Sequence, residues 1–394
     1  MKNIIFLSLL AITLPSWAQK PTNERTSILA EIEKNNTTLA ALRQKAVTEK
    51  QQNTMDNALA DPTVEFSNSW GTRSGSVIKQ NFSIEQELDW GTISGLRRNT
   101  SESENKIVDL NYLVERQVIL AEADQLLVDL IYNNALYEEM SYREMRASDL
   151  RKLYEKKFFA GDANQLEVNK VRLNHTAIVA ELRRVQAQGE EIREDLQRLN
   201  GNHPITVTST AYGRSTLPPL TELLQHTATR VPQMVKLQST IEKEERKLKL
   251  RKAEGIPALS IGYAGEVAKG DNTNGITFGL SIPLWGNSRR KVAQQRSALT
   301  LAELEKTDVE TQIKGTITRQ YKNALQLCQI ANQFRKELSE NQDLSILDKA
   351  LSLGQLSLID YLNEITFYYS ARTQALEADH KSQLAVSKLQ TWFR

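Results

Sequence analysis

The chain has 394 residues, and its 50 Lys and Arg nearly balance 48 Asp and Glu to leave a formal charge of +2. So small a charge argues against the broad basic surface that a nucleic-acid partner requires. Aromatic residues make up only 6% of the chain and only nine prolines interrupt it, so the composition favours long helices over compact mixed structure.

Residues 1–18 have the features of a secretory signal peptide. A cation at Lys2 precedes an apolar segment, 4–14, that is too short to span a bilayer, and small residues flank a predicted cleavage site after Ala18. We therefore expect an exported mature chain. Cys328 is the only cysteine, which excludes an intramolecular disulfide and leaves no thiol for lipid attachment at the cleavage site.

A β-hairpin is predicted between Pro62 and Trp90. Apolar residues occupy alternate positions in its strands, and a segment rich in Gly and Ser, 71–76, separates the two. In the second strand the apolar set is Phe82, Ile84, Leu88 and Trp90, and the polar set is Ser83, Glu85, Glu87 and Asp89. The hairpin therefore has one apolar face and one polar face, and it ends abruptly at Trp90 and Gly91.

A long helix is predicted after this hairpin. Neither Gly nor Pro occurs in 97–160, a stretch that would span roughly 95 Å as one helix. Apolar residues recur in it every seven positions, a pattern typical of coiled-coil packing. They are Ile107, Val114, Ala121, Val128 and Ala135. Gly161 then predicts a turn into a second helix, because glycine tolerates the positive φ that such a turn requires.

The second half contains a similar hairpin and a similar long helix. Apolar residues alternate along 257–266 and 275–285, and the residues between these segments are turn formers. Only Gly315 interrupts 289–353, which predicts another long helix before a turn at Gly354.

Matching residues at a constant offset predict that the chain is internally duplicated. Three pairs lie 195 positions apart: Pro62 and Pro257, Trp90 and Trp285, and Gly91 and Gly286. The segment around Gly354 repeats the segment around Gly161 at an offset of 193. We therefore predict a first repeat over 19–204, an equatorial connector over 205–219 and a second repeat over 220–394.

The apolar hairpin faces need cover from either a protein core or lipid. Four strands per chain are too few to close a barrel, since about eight are needed for an interior just filled with side chains. If the apolar faces meet lipid, three chains would close a barrel of twelve strands with a polar, water-filled interior. The paired Trp and Gly residues at the hairpin ends, Trp90, Gly91, Trp285 and Gly286, would then lie at the membrane interface.

These features resemble the TolC or outer-membrane factor family, especially its shorter members that work with metal- and drug-exporting pumps. The resemblance covers nearly all of the mature sequence. The segments "LADPTVEFSNSWG" and "GIPALSIGYAGE" are similar to the family's outer strands, and "GLSIPLWGNSRRK" is similar to its strand-to-helix junction. The most specific segment is "LSLGQLSLIDYLNEI", which is similar to the Gly-x-x-(Ser/Thr)-x-x-Asp sequence of the periplasmic helix turn.

The resemblance implies a mainly α chain with a small β part that assembles as a homotrimer. A membrane β-barrel formed by the trimer would lie in the outer membrane, and a long coiled-coil α-helical barrel would continue it through the periplasm. It also implies an exit duct without enzyme activity or cofactor. Substrates would reach this duct from an inner-membrane efflux pump through a periplasmic adaptor protein.

The resemblance also assigns roles to residues of the helix turns. The expected adaptor contact consists of Gly161, Gly354 and Ser357. The expected pore constriction consists of Asp360, Asn363, Glu364 and Glu167. Asp360 matches the first acidic residue of the family's constricting ring, whereas the second acidic position falls on Asn363. Leu351 and Leu356 stand where the family has residues that lock the closed tip.

Simpler explanations stand beside each assignment. The tryptophans can cap an ordinary soluble sheet, Asp360 can be a solvated carboxylate, and the glycines can be plain helix C-caps. A periplasmic coiled-coil adaptor or a soluble structural coiled coil is an alternative function, although two equivalent hairpins argue against both. The four histidines, His175, His203, His226 and His380, lack metal-ligand spacing. No nucleophile with a matching base is recognisable either, so we expect neither a metal site nor an enzyme.

Overall fold

The computed structural model describes residues 24–55, 57–71, 77–88, 90–213, 217–268, 271–282, 287–340 and 344–392. The predicted signal peptide, 1–18, lies outside the described residues. The predicted interface residues Trp285 and Gly286 also lie outside them.

Most of the described chain is helical, and its elements form two series of the same order, apart from one additional helix in the second. The first series is α1 (Glu24–Asn35), α2 (Thr37–Met55), β1 (Thr63–Trp70), β2 (Val77–Leu88), α3 (Gly91–Ala160) and α4 (Gln165–Leu199). The second series is α5 (Leu220–Arg230), α6 (Pro232–Ala253), β3 (Ala258–Ala268), β4 (Asp271–Ser281), α7 (Asn287–Glu340), α8 (Ser345–Ser352) and α9 (Leu358–Gln390). The prediction of a mainly α fold with a small β part is confirmed.

The two long helices differ in length. α3 runs without a break for 70 residues, or about 105 Å at the usual helical rise. The long helix expected over 289–353 is instead divided, because α7 ends after 54 residues and α8 is a separate helix. Leu344, which precedes α8, is buried against Tyr361 and Ile365 of α9. Packing against α9 therefore positions the start of α8.

The four strands form one antiparallel sheet in the order β1-β2-β3-β4. β2 and β3 come from different halves of the chain but pair along ten residues of each strand. The second hairpin is longer than the sequence indicates: Val267 pairs with Asn272, and Thr273 pairs with Glu266, so both strands extend into the segment expected to be a turn. Cross-strand pairing here overrides the local turn preference of polar residues.

One face of the sheet is apolar on all four strands. Residues that pair directly across strands lie on the same face, and one such row consists of Val64, Ile84, Tyr263 and Ile276. Further exposed apolar side chains on this face are Phe66, Phe82, Leu88, Ile261, Phe278 and Leu280. The opposite face carries Glu65, Ser83, Glu85, Glu87, Glu266 and Thr277. Among the described residues, no helix packs over the apolar face, and Phe278 is 80% exposed.

Apolar packing lies along the interfaces between helices. A cluster in the first series includes Ile32, Leu39, Leu127 and Leu196. A corresponding cluster in the second series includes Leu223, Ile317, Ala324 and Leu389. In the part of the chain that the structure describes, no helix combines the length and the apolar content needed to cross a bilayer.

A buried carboxylate joins the two series of elements. Asp124 of α3 is fully buried. Arg25 of α1 donates two hydrogen bonds to it, each at 2.5 Å, and Ser387 of α9 donates a third at 2.5 Å. A buried charge is costly without such partners. The site therefore fixes α1, α3 and α9 relative to one another.

Candidate functional site

Two glycine turns reverse the chain between helices, at Gly161 between α3 and α4 and at Gly354 between α8 and α9. The backbone φ is 84° at Gly161 and 70° at Gly354. In both turns the glycine N–H and the N–H that follows it donate to carbonyls of the last helical turn, at 2.8–3.2 Å. A Cβ at either glycine would meet open space. The positive φ, and not a close contact, therefore requires glycine here.

Each turn leads into a capped helix. At the start of α4, the Asn164 side chain accepts a hydrogen bond from the Glu167 N–H at 3.0 Å. The Glu167 carboxylate accepts one from the Asn164 N–H at 2.8 Å, which completes a capping box. At the start of α9, Ser357 Oγ accepts from the Asp360 N–H at 3.1 Å and donates to the Asp360 carboxylate at 2.6 Å.

The two caps explain the spacing of the motif that repeats at an offset of 193. Each turn places glycine first, the N-cap residue three positions later and a carboxylate three positions after that. A carboxylate in the first turn of a helix is stabilised by the free N–H groups and by the helix dipole. Within one chain, Glu167 is therefore a capping residue, and the Asp360 carboxylate is bonded to the N-cap hydroxyl of Ser357. The roles predicted for both in the pore remain predictions.

The predicted constriction residues lie on two different helices. Asp360, Asn363 and Glu364 are exposed on the first turns of α9, whereas Glu167 is half-buried at the start of α4. The two turns lie side by side, because Leu358 of α9 packs in one cluster with Tyr154 of α3 and Val171 of α4. One chain thus brings all four residues to the same end of the helical layer.

A polar cluster that sequence reasoning missed connects α8 to its neighbours. Arg146 of α3 contacts the Asp348 carboxylate of α8 at 2.5 Å and the Tyr361 hydroxyl of α9 at 3.0 Å. The Tyr361 hydroxyl also donates to Asp348 at 2.8 Å. Asp348 and Tyr361 lie 202 and 215 positions from Arg146 in the sequence, so no local signal could have found the cluster.

The cluster shifts the pKa values of two members. Burial raises the pKa of the Tyr361 hydroxyl to about 12, and its hydrogen bond to the Asp348 carboxylate adds to the increase. Burial alone would lower the pKa of Arg146, but its hydrogen bonds to Asp348 and to neighbouring tyrosines outweigh burial and raise that pKa above its ordinary value. Arg146 is therefore charged and Tyr361 neutral at physiological pH.

A second polar cluster joins α3 to α9 farther from the turns. The buried guanidinium of Arg143 donates to Glu139 at 2.8 Å, to the Tyr369 carbonyl at 2.9 Å and to Thr373 at 3.0 Å. Arg372 pairs with the other Glu139 oxygen at 3.1 Å. The interface between α3 and α9 thus contains buried charged and polar groups at this level.

The junction between sheet and helix is held by Trp90. Its backbone caps α3, which begins at Gly91, and its indole N–H donates to the Pro257 carbonyl at 2.8 Å. Trp90 is 42% exposed. This bond attaches the start of the first long helix to the residue before β3. The predicted location of Trp90 at a membrane interface remains a prediction.

Two histidines form pairs with carboxylates rather than sites for metals. His175 lies 3.0 Å from Glu144, and His380 lies 2.6 Å from Asp129 and stacks on Tyr132. Among the described residues, no group of three His, Cys, Asp or Glu side chains could hold a metal ion.

Comparison with solved structures identifies the fold. The chain is similar to a membrane protein from Pseudomonas aeruginosa, with a TM-score of 0.73 and 15% identity over 99% of each chain. It is similar to the Campylobacter jejuni CmeC outer membrane channel, with a TM-score of 0.68 and 16% identity over 100% of this chain and 93% of that one. It is also similar to the open state of the Neisseria gonorrhoeae MtrE outer membrane channel, with a TM-score of 0.73 and 14% identity over 94% of this chain and 88% of that one.

No family model and no curated protein matches the sequence. The likeness therefore concerns the fold: this chain has the fold of the TolC-type outer-membrane channels, as its sequence predicts.

Proposed function

We propose that a chain with this fold serves as the outer-membrane exit channel of a tripartite efflux or secretion system. The observation that carries the proposal is the four-stranded sheet, whose apolar face is exposed on every strand while its opposite face is polar. The channel conducts passively. An inner-membrane pump supplies the energy, and a periplasmic adaptor connects the pump to the channel.

The apolar face favours lipid over water. Removing a large apolar side chain from water contributes about 1.5–3 kcal/mol, and this face carries such side chains on all four strands, up to Phe278 at 80% exposure. The polar face carries carboxylates at Glu65, Glu85 and Glu87. A sheet with these two faces suits a boundary between hydrocarbon and a water-filled interior.

In a membrane, the two edge strands of the sheet need strands of other copies of the chain as partners. β1 and β4 each have one neighbour in the described sheet, so each has one row of backbone groups without a strand partner. Such groups cost several kcal/mol each in hydrocarbon. Pairing β1 of one copy with β4 of the next satisfies both edges, and three copies close a barrel of twelve strands with the polar faces inward.

The helices continue this barrel into the periplasm. α3 begins at Gly91, directly after Trp90, so sheet and helix meet within one residue. In the trimer, Trp90 and Gly91, with Trp285 and Gly286, lie at the membrane interface. With a length of about 105 Å, α3 carries the turn at Gly161 to the far end of the periplasmic helices, and the turn at Gly354 lies beside it.

The helix turns form the periplasmic end of the channel. Gly161, Gly354 and Ser357 contact the adaptor. Three copies of the constriction residues Asp360, Asn363, Glu364 and Glu167 converge around the axis, and rings of carboxylates favour the passage of cations. The cluster of Arg146, Asp348 and Tyr361 holds α8 in place at this constriction. Leu351 and Leu356, which stand where the family has residues that lock the closed tip, have no polar side-chain groups that could do so.

The proposal is tested with the full chain and two variants that place the same charge on opposite faces of β4. Phe278→Arg puts a cation on the apolar face, which costs about 2–4 kcal/mol near the middle of a bilayer. Thr277→Arg puts it on the polar face one residue away. We expect the unaltered chain and Thr277→Arg to enter the outer membrane as trimers that conduct ions in planar bilayers, and Phe278→Arg to fail in assembly.

A soluble monomer in the periplasm would contradict the proposal. Equal membrane assembly of the two arginine variants would contradict the assignment of the apolar face to lipid.

A further inference from the structure

We propose that Phe367 forms a second, apolar constriction inside the acidic one and that it limits the passage of small hydrated ions. The inference rests on the proposed channel function and adds to it a residue that determines which solutes pass. Its basis is the exposed surface of α9.

Phe367 is out of place in its surroundings. From Asp360 to its end, α9 lies wholly within the described residues, and its exposed residues are polar or charged apart from Phe367. These polar residues are Asp360, Asn363, Glu364, Thr366, Ser370, Gln374, Lys381 and Lys388. Phe367 is 76% exposed, which leaves most of a phenyl ring in contact with water.

The exposed surface of α9 lies on a broad side of the helical layer and not at its edge. On one flank α9 packs against α3, where Arg143 contacts Tyr369 and Thr373. On the other flank it packs against α7 and α8, with Arg335 paired to Asp379 at 2.7 Å. Neighbours from the same chain thus occupy both flanks, and an adjacent copy has no flank of α9 to cover.

Phe367 points the same way as Asp360. The two residues are seven positions apart, which is two helical turns and about 10 Å along the axis. If the Asp360 carboxylates ring the lumen, three Phe367 side chains ring it about 10 Å deeper. The two rings act in series: the carboxylates concentrate cations, and the phenyl groups disfavour water and the hydrated ions that it carries.

The test compares the same substitution at two exposed phenylalanines. Phe367→Ser removes the apolar ring. Phe159→Ser, at the end of α3, removes a phenyl group that is 87% exposed but lies outside the exposed surface of α9. In purified trimers in planar bilayers, we expect Phe367→Ser to raise potassium conductance about twofold or more, because a polar constriction stays wet, and Phe159→Ser to leave it unchanged.

Measurements of ion selectivity distinguish the effect of the Phe367 ring from that of the Asp360 ring. Phe367→Ser leaves the carboxylates in place, so the ratio of potassium to chloride permeability should not change. Asp360→Asn should lower that ratio and thereby report that this surface of α9 faces the lumen.

The possible failures are distinguishable. Unchanged conductance in Phe367→Ser trimers would overturn the inference and leave the channel function intact. Loss of the trimer in Phe367→Ser would also overturn it, because the phenyl group would then pack between copies. An unaltered chain that forms no channel would overturn the proposed function and this inference with it.

Discussion

The two glycine turns share one local structure but differ in what surrounds them. Both have a glycine with positive φ, an N-cap residue three positions later and, three positions after that, a carboxylate that bonds to the N-cap residue. The first turn follows the unbroken helix α3. The second follows the short helix α8, which the described structure shows as separate from α7 and attached through Asp348 to residues of α3 and α9.

This difference separates what neighbouring residues determine from what residues distant in the sequence determine. Local capping chemistry reverses the chain equally well in both turns. The attachment of α8 depends on contacts with distant residues, so the second turn can be loosened without unfolding its caps. We therefore expect the turn at Gly354 to be the more adjustable of the two, and four sets of variants test this comparison.

The largest effect is expected for the attachment of α8. Asp348→Ala leaves the Arg146 guanidinium, whose side chain is only 18% exposed, without its carboxylate, and should lower the local opening free energy of α8 by about 2 kcal/mol. Hydrogen exchange of residues 345–356 measures this loss. The matched control is Glu155→Ala beside the first turn, where the partner Arg172 is 54% exposed and the loss should stay below about 0.5 kcal/mol. If the two variants lost the same local opening free energy, the second turn would not be the more adjustable one.

Tyr361→Phe should have the next largest effect. It should lower the free energy of unfolding by about 1.5 kcal/mol at neutral pH, because it removes a hydrogen bond to a carboxylate. The pKa of Tyr361 is raised from 10.0 to about 12. A raised pKa favours the neutral hydroxyl in the folded state, so its contribution is complete below about pH 10 and is lost as the pH rises through about 12.

Heat denaturation of the two proteins across this pH range measures the effect. The difference in stability between the unaltered chain and Tyr361→Phe should shrink as the pH approaches about 12. A difference that stays constant with pH would show that the hydroxyl contributes by shape and not by its proton.

Alanine at either glycine should cost about 1 kcal/mol, because a residue with a Cβ is strained at positive φ. The costs at Gly161 and Gly354 should be equal, since the φ values are 84° and 70° and a Cβ meets open space in both. Asparagine, which tolerates this conformation, is the control and should cost less at both positions. Hydrogen exchange over each turn measures the change in local opening free energy that each substitution causes. A much larger cost at one glycine would reveal a contact that the other lacks.

The smallest effects are expected at the N-caps, where Asn164→Ala and Ser357→Ala should each cost about 0.5–1 kcal/mol. The same exchange experiment resolves them. Ser357→Ala also frees the Asp360 carboxylate from its hydrogen bond with the serine hydroxyl, so it should alter ion conductance. Asn164→Ala should not, because the Glu167 carboxylate accepts its hydrogen bond from the Asn164 backbone N–H, which the substitution keeps. Altered conductance in both variants would indicate that loss of a cap, and not release of the Asp360 carboxylate, changes the constriction.

Features that depend on short sequence distances were predictable. The alternation in 82–88 identifies the apolar and polar faces of β2, which the register of the sheet matches. The glycines of the two turns have the predicted positive φ. The spacing that suggested a pore motif equally describes helix caps, so the sequence pointed to the correct residues and left two interpretations of them open.

The sequence by itself therefore determined where the two hairpins and the helix α3 lie, which side of each hairpin is apolar and where the glycine turns reverse the chain, because these depend on periodicity and on neighbours a few residues away. Only the tertiary structure decided that β2 pairs with β3, that α8 is a separate helix and that Trp90 bonds to Pro257. It also brought Arg146 to Asp348 and Tyr361. These contacts join residues far apart in the chain, and their partners become neighbours only when the helices and strands of both halves pack together.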